Sequence, residues 1–136
     1  MPEQVISMTN ILMFNIQNSE KRRKIKTIAA MLRLSCREVF PEEFGQTVGA
    51  LAGLVEADPD TGEKPESFTD EMLVMNGLAG GAFQQFLNQL RRQKASVTLK
   101  AVVTEHNAKW NCSELHRAIA SEHEAMKNSL KSIHRD

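Results

Sequence analysis

The side chains best suited to chemistry gather in one short run, Thr104, Glu105, His106, Asn107 and Trp110. An imidazole that titrates near neutrality can move a proton, and an indole can serve as a platform for a planar ligand. The same residues also suit a self-contained loop, with Thr104 and Asn107 bonding the backbone and Trp110 covering a sheet edge. No nucleophile adjoins His106, so a triad cannot be argued from this run. Asn15 and Asn76 each close an apolar tetrapeptide. A neutral amide there can donate and accept toward a ligand, or cap the helix that follows. It cannot hold magnesium and take a phosphoryl group as an acidic residue does, which argues against a phosphoacceptor receiver.

Three further clusters have weaker chemistry. Cys112 and His116 stand one helical turn apart, with His123 on nearly the same angle. These are zinc-type ligands, and a helix start favours a thiolate. His123 is more than two turns from Cys112, however, beyond the reach of a shared ion, so no metal and no other cofactor is expected. Lys21-Arg22-Arg23-Lys24-Ile25-Lys26 opposes the macrodipole at the start of a helix, which phosphate contact would explain. Without interleaved aromatic residues it reads better as a solvated face. Gly77-Leu78-Ala79-Gly80-Gly81 lies between a strand and a helix, where phosphate loops occur, but it matches neither phosphate-binding fingerprint.

The elements that must position these groups follow from periodicity. Ile11–Phe14 and Met72–Met75 read as buried strands, Cys36–Phe40 and Thr98–Thr104 as two more. Helical stripes run through Ile25, Ile28, Ala29 and Leu32, and through Phe83, Phe86, Leu87 and Leu90. A short glycine-weakened helix is predicted over Phe44–Leu54. A long last helix is expected to turn Leu115, Ala118, Ile119, Met126, Leu130 and Ile133 inward. Asn111 with Glu114 three residues on forms a capping-box pattern at its start. Between Glu56 and Glu71 seven carboxylates meet one lysine. With Pro59, Gly62 and Pro65 inside it, Glu56–Phe68 reads as a solvated loop.

This order, strand–helix–strand–helix given twice, predicts an α/β fold. We expect a single domain over residues 1–136, a small three-layer sandwich with helices on both faces of a four-stranded, mostly parallel sheet in the order 2-1-3-4. The acidic loop over 56–70 would separate two βαβα-like halves. Leu12 and Asn15 match Leu73 and Asn76 at an offset of 61, Val39 and Glu42 match Val102 and Glu105 at 63, and Leu51 matches Leu115 at 64. An old duplication and chance both account for such matches. In a parallel sheet, ligands sit at the carboxyl ends of the strands. Asn15, Glu42, Asn76, Gly77, Thr104, His106, Asn107 and Trp110 would then line one edge as candidate ligand contacts, with none assigned a catalytic role.

Composition narrows the function classes. The chain has 136 residues, with 17 basic and 17 acidic side chains. Bulk attraction to a polyanion is therefore excluded. The longest uncharged run, Met72 to Leu90, carries Asn76, Gln84, Gln85, Asn88 and Gln89 and is too polar to cross a membrane. Cys36 and Cys112 have no paired spacing, and the start has no basic leader, so a reducing cytoplasm is the expectation.

Three blocks are familiar together. They are Pro41 to Gly49 (PEEFGQTVG), Met72 to Gly77 (MLVMNG), and Leu99 to Thr104 (LKAVVT) followed by His106, Asn107 and Trp110. They resemble the bacterial family known as domain of unknown function 3783, most closely over residues 71 to 125. Ala79-Gly80-Gly81 departs from it where Ser or Asp would open the third helix. The resemblance implies a small bacterial protein with no assigned activity. The expected function is a small-ligand or protein binding or regulatory module without catalysis of its own. The alternatives are a small enzyme pairing His106 with Glu42, Glu43 or Glu105, and nucleic-acid binding through Lys21–Lys26.

Overall fold

A computed structural model describes residues 8–55, 67–78 and 80–133. Of the expected acidic loop over 56–70 only residues 67–70 fall within them. Four strands of four residues each carry the fold: β1 (Ile11–Phe14), β2 (Cys36–Val39), β3 (Met72–Met75) and β4 (Leu99–Val102). Their sheet order is β2-β1-β3-β4. The two central strands, ILMF and MLVM, are apolar throughout and buried on both faces. The outer strands, CREV and LKAV, place charged residues at the open edges, as edge strands must.

Helices cover both faces. On one side α1 (Ser19–Met31) and α3 (Ala82–Arg92) set Ile25, Ile28, Phe86 and Leu90 against Ile11, Met13, Leu73 and Met75. On the other side α2 (Val48–Leu51) and α4 (Cys112–Ile133) set Val48, Leu51, Cys112 and Leu115 against Leu12, Phe14, Met72 and Val74. Alternation along each strand sends odd and even residues to the two cores. The three-layer α/β arrangement expected from the sequence is present.

The sheet is mixed. β1 and β2 are parallel, as are β3 and β4, while β1 and β3 are antiparallel. The seam between β1 and β3 maps onto itself under a shift of 61 residues: Ile11 pairs with Met75, and its shifted equivalent, Met72, pairs with Phe14. Each half is thus one βαβα unit, and the two face each other across a pseudo-twofold axis. Thr47 and Asn111 occupy equivalent places before α2 and α4, and they form a β-bridge to one another. The bridge lies on that axis. Every sequence match at 61, 63 or 64 residues falls within this repeat.

The helix ends repeat too. Leu34 N donates to Ala29 O at 2.8 Å, and Ala95 N donates to Leu90 O at 2.8 Å. Between them Arg33 and Lys94 hold φ of 61° and 56°. Both are Schellman ends with a non-glycine residue at the left-handed position, which favours glycine. Arg33→Gly and Lys94→Gly should each stabilise the fold by about 0.5–1 kcal/mol, the relief of that backbone exceeding the added unfolded-state entropy. Thermal unfolding of the two variants and their double mutant, with gains that add, checks the expectation.

Several predicted boundaries change. The helix expected over Phe44–Leu54 spans only Val48–Leu51, because Phe44 turns into the core and Gly53, at φ 79°, ends the turn. Gly49 is required here, since a Cβ on it would stand 3.0 Å from the Ala108 carbonyl oxygen. Phe68 is no solvated loop residue, for its ring stacks on Phe44 at 4.5 Å. Met126 is 65% exposed, so the inner stripe of α4 stops short of it. The shared strand edge also fails. β3 and β4 run opposite to β1 and β2, so their carboxyl ends lie at the far end of the sheet.

Candidate functional site

The strand-end amides are used internally. Asn15 sits at φ 59° after β1. Its Nδ2 donates to the carbonyl oxygens of Phe68 at 2.9 Å and Asp70 at 3.0 Å. Asn76 is buried after β3, and its Nδ2 donates to Thr9 O at 3.2 Å. Thr9 and Asp70 are 61 residues apart, so each asparagine grips the chain entering the neighbouring central strand. Gly77 follows at φ 69° and is exposed.

The run after β4 bonds to itself. Thr104 N donates to Asn107 Oδ1 at 2.8 Å, Asn107 N to Thr104 Oγ1 at 3.0 Å, and Asn107 Nδ2 to Val102 O at 3.0 Å. His106 is exposed and meets the Trp110 ring edge-on at 5.3 Å. Trp110 packs partly on the core, and its carbonyl accepts from Val48 N at 2.8 Å. Glu42 is exposed in the 3-10 turn Pro41–Glu43. Asn15 and Glu42 therefore follow β1 and β2 at one end of the sheet, and Asn76, Gly77 and Thr104 follow β3 and β4 at the other. The two connecting turns meet at the Thr47–Asn111 bridge and beside it, where Val48 N donates to Trp110 O and Cys112 N to Phe44 O.

Of these residues Asn15 borders a cleft. This cleft, of about 180 Å³, opens at the carboxyl ends of β1 and β2, beside the first turn of α1. Met13, Ile16 and Val39 form its apolar part, Phe40 and Pro41 a wall, and Asn15, Gln17, Arg22 and Glu38 its polar part. Arg22 Nη1 donates to Ile16 O at 3.0 Å, and its Nε stands 3.5 Å from Glu38. Position 17 in the first half corresponds to position 78 in the second. Gln17 lines the cleft, whereas Leu78 packs on the core.

A second concave region runs beside α4, where two hollows of about 240 and 310 Å³ both touch Ala120. His116 lies between them in chemistry as well as in place. Its Nε2 is 2.9 Å from Asp70 Oδ2, and its ring stacks on Phe68 at 4.1 Å. Sequence reading grouped His116 with Cys112 and His123 and missed Asp70. The two residues are 46 positions apart, and no local signal links them.

The remaining clusters resolve in structural terms. Lys21 pairs with Glu71, Arg22 and Lys26 with Glu38, and Lys24 with Glu20, so the basic run faces carboxylates on several sides. Among the described residues no three His, Cys, Asp or Glu side chains stand together to hold a metal ion. Burial raises the Cys112 thiol to about 12 with Glu43 adding to the rise, and burial raises Cys36 to about 11. Thiolate, the reactive form, is thereby suppressed. At pH 8 a thiol reagent should modify Cys112 on the order of 1,000-fold more slowly in the native chain than in urea, from the rise above the ordinary value near 9. Native alkylation of Cys112 at the unfolded rate would contradict this. The same shifts remove stability as pH climbs above 9, because the unfolded thiols release protons that the folded ones keep.

No described helix is long and apolar enough to cross a membrane. No curated protein and no solved structure matches the chain. A family model does match, described as Domain of unknown function (DUF3783), over residues 71–126. That span opens at the residue before β3 and closes within α4, so it coincides with the second βαβα unit. Over residues 71–126 the chain is similar to the family described as Domain of unknown function (DUF3783).

Proposed function

We propose that the chain is a binding module without catalysis of its own, and that its ligand site is the cleft at the carboxyl ends of β1 and β2. The observation that carries this reading is the cleft's composition: an apolar base, an aromatic wall, and an Arg22–Glu38 pair at its side. Carboxyl ends of parallel strands beside a helix start are where α/β sheets take ligands. The volume of about 180 Å³ corresponds to about six water molecules of liquid, below the range for drug-sized ligands. A small ligand carrying both a donor and an acceptor, such as an amino acid or a short amide, meets both charges of the pair. Asn15 lines this cleft while its Nδ2 holds the chain entering β3, and Asn76 and the Thr104–Trp110 loop stand at the other end of the sheet.

Amide NMR of the labelled chain, titrated with a panel of amino acids, small amides and small carboxylates, tests the reading. Saturable shifts confined to residues 15–17, 22 and 38–41, lost in Arg22→Ala, are expected. No saturable shift with any member, or shifts unchanged in Arg22→Ala, would overturn it.

A further inference from the structure

Arg22 belongs to two hollows. It lines the cleft at the carboxyl ends of β1 and β2, and it lines an open groove of about 440 Å³ along α1. Ser19, Arg23, Lys26, Thr27 and Ala30 complete that groove. Their helical spacing puts two hydroxyls and three cations on one face. Charge on this face does not balance. Arg22 Nε stands 3.5 Å from Glu38, and Lys26 Nζ stands 2.7 Å from the same carboxylate. Arg23 is exposed, and of the run's cations it is the one without an ion pair among the described residues. Three cations therefore share one carboxylate, an excess of two positive charges.

A zwitterion bound in the cleft adds no net charge and leaves that excess in place. A phosphate monoester brings about two negative charges and three strong acceptor oxygens. Arginine matches its geometry, and hydroxyls add neutral donors. Arg22 and Arg23 also stand near the start of α1, where the macrodipole disfavours cations and favours an anion beside them. Arg22 and Lys26 are one turn apart, about 6 Å along the axis. A phosphate on a short side chain spans that step while the rest of its molecule stays in the cleft. Resting on the cleft as the ligand site, we propose that its ligand is a small phosphorylated amino acid. The phosphate leaves the cleft past Arg22 and lies on α1 between Arg23 and Lys26.

Amide NMR titrations with phosphoserine, serine and inorganic phosphate, at fixed pH and ionic strength, test the proposal. Phosphoserine should bind about 10-fold more tightly than serine, the gain from two exposed ion pairs. Its shifts should extend beyond the cleft to residues 19, 23, 26 and 27, which serine leaves unmoved. R23Q/K26Q should bring the two affinities together. K21Q/K24Q, which removes the same charge from outside the groove, should keep them apart. Inorganic phosphate, having no part in the cleft, should bind more weakly than phosphoserine. Equal affinity for phosphoserine and serine would overturn the proposal and leave the cleft reading standing. So would a preference that survives R23Q/K26Q or is lost in K21Q/K24Q, or inorganic phosphate binding as tightly as phosphoserine. Absence of any saturable shift with phosphoserine also overturns it, whereas the cleft reading falls only when the unphosphorylated panel fails as well.

Discussion

Replacing Phe44 with alanine should lower the unfolding free energy by about 3–5 kcal/mol, the range for emptying a buried aromatic site. Phe44 is 1% exposed and stands where the turn after β2 enters the core. Its ring is 6.0 Å from Phe14 and stacked at 4.5 Å on Phe68, which in turn stacks on His116. Its carbonyl accepts from Cys112 N at 3.2 Å, at the start of α4. Loss of the ring therefore loosens a column that reaches from the sheet to the helix beside it. The surrounding segments are held by the Thr47–Asn111 bridge and cannot close the void. Urea unfolding followed by the fluorescence of Trp110, the only tryptophan, measures the loss. Phe44→Leu, which keeps most of the volume, should cost much less. A loss under about 1 kcal/mol for the alanine variant would mean that the column is not a packed core.

Truncating the two strand-end amides should be almost as damaging. Asn76→Ala leaves the part-buried Thr9 O without its side-chain donor, a loss of about 1–3 kcal/mol. Asn15→Ala removes two donors and forces alanine to hold φ 59°, so about 2–4 kcal/mol is expected. Asn15→Gly separates the two contributions, because glycine accepts the backbone angle and restores only that part. Were these amides poised for a ligand instead, each alanine variant would unfold within about 0.5 kcal/mol of the parent. Chemical denaturation of the three variants decides between the roles.

Much of the scaffold was legible because its signals are local. ILMF and MLVM are runs too short and too apolar for anything but buried strands, and both are strands to the residue. The Asn111–Glu114 box forms as its spacing predicts, with Glu114 N donating to Asn111 Oδ1 at 2.9 Å and Asn111 N to Glu114 Oε1 at 3.0 Å. The direction of β3 against β1 was not legible. Strand–helix–strand order makes the pairs within each half parallel, but nothing local orients one half against the other. A strand apolar on both faces carries no alternation, so its sequence suits either direction of pairing. That one unreadable sign moved Asn76 and Thr104–Trp110 away from Asn15 and Glu42. The Asp70–His116 contact and the grip of Asn15 on Phe68 and Asp70 were hidden for a related reason, each joining residues tens of positions apart.

The antiparallel seam between β1 and β3 has a consequence for how this fold scales with dilution. Two separate βαβα units would need to meet by diffusion to form it, and would fall apart below some concentration. Carried on one chain, they meet at an effective concentration on the order of millimolar, whatever the number of molecules present. The seam is thereby insensitive to dilution. Tethering also releases the two units from having to be identical, as self-pairing copies must be. Position 17 is a glutamine facing a cleft, and its counterpart at 78 is a leucine packed on the core. One unit is free to specialise while the other holds the sheet closed.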